Sequence, residues 1–110
     1  RPLYEAVALK ACEWNSKNNI GLVVGATYPQ ELQRIRKLCP TMPLLIPGVG
    51  AQGGDLELAV KYGMDTAGEK AIINVSRQVL YASRGDEFAH SARQEALKLR
   101  NAINSIRMGK

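Results

Sequence analysis

The chain has 110 residues, of which 45% are hydrophobic and 23% charged, and a net charge of +5. That length suits one small domain burying roughly 60–65% of its unfolded surface, and the longest apolar runs, 20–24 and 43–47, fall far short of the ~20 residues a membrane-spanning helix needs. The basic residues form no nucleic-acid platform: Arg34, Arg36, Lys37, Arg93, Lys98, Arg100 and Arg107 interleave with Glu31, Glu57, Glu87 and Glu95 without aromatic neighbours, so they read as solvated faces.

No charged-then-apolar leader opens the chain, so no secretion signal is expected. Arg1 in place of a starting Met suggests that an upstream segment is missing. Residues 2–17 are predicted helical, with Leu3, Val7, Ala11 and Trp14 recurring on one inward face. Residues 20–24 end in Val23 and Val24 before Gly25, which reads as a buried strand and a break. Thr27 and Gln30 make a capping-box pattern, and Pro29 falls in the first turn of the next helix. That helix turns Leu32, Ile35 and Cys39 inward before Pro40 ends it.

The cycle repeats with a strand at 43–46 and a glycine-rich loop at 47–54. Asp55 is a natural helix N-cap, and Leu56, Ala59 and Val60 face inward until Gly63. Residues 64–70 are a polar loop, 71–75 a third buried strand, and 79–82 a short apolar turn. The last helix repeats Phe88, Ala92, Ala96, Leu99, Ile103 and Ile106 at steps of three and four, and Arg107, Gly109 and Lys110 mark its end. Continuous apolar strands separated by helices imply a parallel sheet covered on at least one face. Both a doubly wound sheet and an arc of a (β/α)8 barrel fit that order.

Cys12 and Cys39 lack CxxC spacing and histidine partners, so reduced, partly buried thiols are expected, with a disulfide the lesser alternative and a metal site less expected still. His90 reads as a helix-surface residue, and Trp14 as core. Function gathers at the three strand ends, 25–27, 47–54 and 74–77. Four glycines in eight residues suit a backbone that approaches a ligand closely, with N–H groups leading into the Asp55 helix as an anion cradle. The loop is neither a Walker loop nor a GxGxxG fingerprint, and by itself it fits a tight turn as well. Arg77 just past the third strand adds a guanidinium suited to a phosphate dianion, while a salt-bridging loop role stays open.

The stretches 21–27 (GLVVGAT), 44–55 (LLIPGVGAQGGD) and 72–77 (IINVSR) resemble the last three strand ends of orotidine 5'-monophosphate decarboxylase, most of all its longer bacterial branch. The similarity runs from about Leu3 to Ile106, and related ribulose-phosphate-binding barrels do not share the PGxGAQGGD wording. The resemblance implies that residues 1–110 are the C-terminal part of a single decarboxylase barrel domain, an arc of about three βα units of a TIM (β/α)8 barrel. It implies a cytoplasmic, homodimeric enzyme of de novo pyrimidine synthesis, taking orotidine monophosphate to uridine monophosphate with no cofactor and no metal. Gln52 and Arg77 would grip the 5'-phosphate of the pyrimidine nucleotide, helped by Gly53, Gly54 and backbone N–H groups near Ser76 and Arg77. Gln52 would also belong to the loop that closes over substrate.

The family's chemistry rests on a Lys-Asp-Lys-Asp cluster from earlier strands, one Asp coming from the partner subunit. No Asp-x-Lys-x-x-Asp pattern occurs here, and Lys10, Lys17, Lys37, Lys61 and Lys70 fall on predicted helices or polar loops. Asp55, Asp65 and Asp86 read as cap, loop and helix-start residues. No catalytic residue is therefore expected within this chain. Two other readings stay open: a non-catalytic phosphate-ligand module, and another phosphate-binding barrel enzyme such as a keto-gulonate phosphate decarboxylase relative. Gln52 within GAQGGD favours the nucleotide enzyme.

Overall fold

The computed structural model describes residues 1–50 and 53–109. Helices and strands alternate as α1 (Leu3–Trp14), β1 (Leu22–Val23), α2 (Pro29–Leu38), β2 (Leu44–Ile46), α3 (Leu56–Gly63), β3 (Ala71–Ile73), α4 (Arg77–Leu80) and α5 (Phe88–Met108). The three strands pair in parallel in the order β1-β2-β3. Backbone bonding runs beyond the short strand β1: Val24 N–H donates to Leu45 O at 2.9 Å and Ala26 N–H to Pro47 O at 2.8 Å.

Local sequence explains most of the boundaries. Pro29 opens α2, where its missing N–H is not needed. Leu32, Ile35 and Cys39 are buried as expected. Asp55 caps α3, its Oδ1 accepting the Leu58 N–H at 3.0 Å. Asp55→Ala should therefore lower stability by about 1 kcal/mol. Urea denaturation checks this, and an unchanged midpoint would mean that the cap carries no weight. Asp65 ties the 64–70 loop in a similar way, accepting the Ala67 and Glu69 N–H groups, and the Glu69 bond leads in holding its carboxyl below the usual range.

The core lies between the sheet and α1, α2 and α3, built on Leu32, Leu44, Ile46, Ala59 and Val60. Because strand side chains alternate, the opposite sheet face carries Val23, Leu45 and Ile72, paired in register across the sheet. These three are 69%, 37% and 55% exposed, so an entire apolar row has no cover among the described residues.

Several sequence expectations are corrected. Of the predicted α1 stripe only Ala11 is buried; the inward face is Ala8 and Ala11 with Tyr4 and Cys12 packed beside them, whereas Leu3, Val7 and Trp14 are exposed. The small alanines let α1 approach α2 closely, and Trp14, read as core, turns away. Thr27 and Gln30 form no capping box, because Tyr28 holds the N-cap position of α2 and makes no side-chain cap bond. The stripe of α5 is only half-buried at Leu99, Ile103 and Ile106, and Phe88 and Ala96 are exposed. His90 is exposed in the first turn of that helix, as expected.

The solvated reading fails for Arg107 and Arg36, while Arg34 stays exposed as expected. Arg107 Nε donates to Gly68 O at 2.6 Å. Arg34 pairs with Glu5, a buried carboxylate that also meets Arg1. Arg36 is the largest departure: it is buried, and its guanidinium donates to Gly63 O (2.7 Å), Cys39 O (3.0 Å), Met42 O (2.7 Å) and Lys70 O (3.1 Å). It laces the C-terminal ends of α2 and α3 to the start of β3. Its periodic position among charged neighbours hid this from sequence reading.

Candidate functional site

All three loops that leave the strands' C-terminal ends emerge on one edge of the sheet, because the strands are parallel. Thr27 sits exposed at the first end. At the second, the glycine loop closes on itself: Gly50 N–H donates to Gly54 O, Gly53 N–H to Gly50 O, and Gly54 N–H to Gly48 O, all at 2.8–2.9 Å. Gly48, Gly50 and Gly53 take positive φ angles of 92°, 80° and 91°, a region that disfavours side chains. A Cβ on Gly54 would strike Gly48 O, and the Ala26 Cβ would lie only 2.7 Å away. The glycines are thus required by the turn's own geometry.

That geometry bears on the anion-cradle expectation. The amides of Gly50, Gly53 and Gly54 are used inside the loop. At the start of α3 the Asp55 carboxylate already occupies the Leu58 N–H, placing negative charge where an anion would sit. In this arrangement the described amides of the loop bond to its own carbonyls and do not form a row of free donors. Gly53 is exposed and Gly54 buried, while Gln52 lies outside the described residues.

The third strand end supplies the cationic group. After β3, Asn74 N–H donates to Ile46 O at 3.2 Å, continuing the sheet, and Ser76 then leads into the single turn of α4. Arg77 opens that turn, and both Ser76 and Arg77 are exposed. The Ser76 carbonyl accepts the Leu80 N–H at 2.9 Å. The first N–H groups of the turn have no intrahelical partner and remain available to a ligand.

Gln78 is the residue that sequence reading missed. Its Nε2 donates to Glu95 Oε1 on α5 at 2.6 Å. Its Oε1 lies 2.6 Å from where a Cβ on Gly50 would stand. Gln78 therefore joins the turn that carries Arg77 to the glycine loop on one side and to α5 on the other. Only the position directly after Arg77 could have flagged it, because its partner lies 17 residues downstream.

The lysines do not converge on this edge: Lys10, Lys37 and Lys61 are on α1, α2 and α3, and Lys70 precedes β3 at the other end of the sheet. Among the described residues there is no cluster of His, Cys, Asp and Glu able to hold a metal ion, and no helix is long and apolar enough to cross a membrane.

These features define a class: a βα-unit protein that gathers its polar groups at the C-terminal edge of a parallel sheet. No protein-family model matches the chain. Curated relatives named orotidine 5'-phosphate decarboxylase do match: that of Azoarcus sp. is 56% identical over 106 residues, covering 96% of this chain, and that of Dehalococcoides mccartyi is 52% identical over 107 residues, covering 97%. The chain spans about 40% of the length of the curated relatives it matches. Among solved structures, the Leishmania donovani OMP decarboxylase superposes with a TM-score of 0.80 at 40% identity, covering 98% of this chain and 40% of that one. The UMP synthase of the same organism gives 0.81 at 43% identity, covering all of this chain and 23% of that one.

The chain is homologous to a portion of the orotidine 5'-phosphate decarboxylases, as the strand-end wording predicts. The barrel alternative for the sheet holds over the doubly wound one. Val23, Leu45 and Ile72 then form one row of the side chains that fill such a barrel.

Proposed function

We propose that this chain is the C-terminal part of a decarboxylase barrel that converts orotidine 5'-monophosphate to uridine 5'-monophosphate in pyrimidine synthesis, and that it supplies the phosphate-gripping half. The observation that carries this reading is the pairing of the 47–54 glycine loop with Arg77 at the neighbouring strand end, within a chain 56% identical to a decarboxylase over 96% of its length. Gln52 and Arg77 hold the phosphate, with Gly53 and Gly54 shaping the loop and the amides near Ser76 and Arg77 completing the site. The carboxylates and lysines that act on the pyrimidine come from strands outside these residues. The whole enzyme is a cytoplasmic homodimer that uses no cofactor.

A remote phosphate grip accelerates decarboxylation only where its binding energy is realised more fully in the transition state. Closure of the Gln52 loop over the phosphate provides that, because it assembles and dries the pocket. Binding and chemistry are thereby divided between two parts of one barrel.

The division yields an expected result. Purified residues 1–110 give no loss of orotidine monophosphate absorbance above buffer. Calorimetry finds at most weak binding of uridine monophosphate, displaced by inorganic phosphate. Turnover by this chain alone, or tight base-selective binding, would overturn the placement of the catalytic groups. The uncovered row of Val23, Leu45 and Ile72 beside two open sheet edges also favours self-association.

A further inference from the structure

Cys12 and Cys39 lie 27 residues apart, on α1 and at the C-cap of α2, yet their sulfur atoms are 2.8 Å from one another. That is less than about 1 Å longer than a disulfide bond of ~2.05 Å. Both are free thiols. Cys39 is buried, its Sγ otherwise facing Ala8 O at 3.6 Å, whereas Cys12 is only partly buried, with Leu38 O at 3.9 Å. No other thiol exists in the chain.

We propose that Cys12 and Cys39 are a covalent modification site: a peroxide-class oxidant converts them to an intramolecular disulfide that staples α1 to α2. Cys12 reacts first, because it is the less buried of the two. Its sulfur attacks one peroxide oxygen, the O–O bond breaks, and the other oxygen leaves as water, giving a sulfenic acid on Cys12. The Cys39 sulfur then attacks the Cys12 sulfur, the S–O bond breaks, and the hydroxyl leaves with the Cys39 proton as a second water. Two thiols and one hydrogen peroxide thus become one disulfide and two waters. Burial, with the Cys12 hydrogen bond, pushes the Cys39 thiol up to about 12. It is therefore a poor first target and suits the resolving role, where proximity substitutes for thiolate population.

The pair sits at the C-terminal ends of α1 and α2, the end of the sheet opposite the glycine loop and Arg77. The cross-link therefore strengthens the helix layer without entering the candidate site, and it does not depend on the phosphate reading.

The test treats the whole protein with hydrogen peroxide at neutral pH, blocks remaining thiols with N-ethylmaleimide after unfolding, and maps a non-reduced tryptic digest. The expected result is that both thiols disappear together and that peptides 11–17 and 38–61 are recovered joined, with dithiothreitol restoring both. Cross-linking in native buffer should be at least ~10-fold faster than in denaturing urea, and Tm should rise reversibly by about 5 °C or more. Cys39→Ala should leave Cys12 as a sulfenic acid trapped by dimedone, and Cys12→Ser should leave Cys39 alkylatable. The proposal is overturned if Cys12 is driven to the sulfinic acid or joined to a second chain while Cys39 stays reduced. Equal cross-linking rates in native buffer and in urea also overturn it.

Discussion

Arg77→Ala in the complete decarboxylase is expected to lower kcat/KM for orotidine monophosphate by about 100- to 1,000-fold. A guanidinium makes two charge-assisted bonds to a phosphate dianion, each contributing roughly 1.5–3 kcal/mol, and about 1.4 kcal/mol corresponds to a tenfold change. Arg77 is exposed at the sheet edge in this chain, and its side chain has no ion pair or hydrogen bond among the described residues. Removing it should therefore leave the fold intact, so that a loss of activity reports the proposed phosphate contact. Gln52→Ala removes a neutral donor, and its expected loss is about tenfold smaller. The discriminating measurement is kinetics with orotidine, which lacks the phosphate. Arg77→Ala should leave that slow reaction unchanged, and an equal loss on both substrates would remove Arg77 from the phosphate site.

Arg36→Ala is expected to have the largest effect on stability, a loss of about 3 kcal/mol and a fall in Tm on the order of 10–20 °C. The substitution removes a buried donor from four carbonyl oxygens, of Cys39, Met42, Gly63 and Lys70; Cys39 O and Lys70 O keep the Met42 and Leu44 N–H groups, at 3.4 and 2.9 Å, so the loss falls mainly on Met42 O and Gly63 O. Burial lowers the Arg36 pKa, and the nearby Asp65 carboxylate opposes that shift. Among the described residues no carboxylate lies within ion-pair distance of Arg36, so the carbonyl dipoles balance its charge. Arg36→Lys should recover only part of the loss, because an ammonium cannot reproduce the planar fork. Urea denaturation of all three proteins checks this; a loss below about 0.5 kcal/mol for Arg36→Ala would show the carbonyls to be satisfied by other means.

Whatever depends on neighbours a few residues apart is legible in the chain alone. Pro29 opening α2, Asp55 capping α3, the stop at Gly63 and the parallel pairing of the strands are all legible because their causes are local: a missing N–H, a carboxylate three residues from its donor, a repeat of apolar runs. The strand-end wording that links the chain to the decarboxylases is local too. Which face of α1 is inside is settled by packing, because the stripe of Leu3, Val7 and Trp14 and that of Tyr4, Ala8 and Cys12, with Ala11 between them, are both plausible cores until α2 is placed against them. The tertiary structure also decided that Arg36 is buried, since its four acceptors come from as far as 34 residues away. Cys12 and Cys39, and Gln78 and Glu95, meet only through packing of whole helices. The glycine loop shows the division most closely: its composition announces a special backbone, but only the folded loop shows the amides of Gly50, Gly53 and Gly54 bonding to its own carbonyls. Hydrogen-bond partners are chosen by three-dimensional proximity, and residue spacing along the chain specifies that proximity only within a turn or two of regular structure.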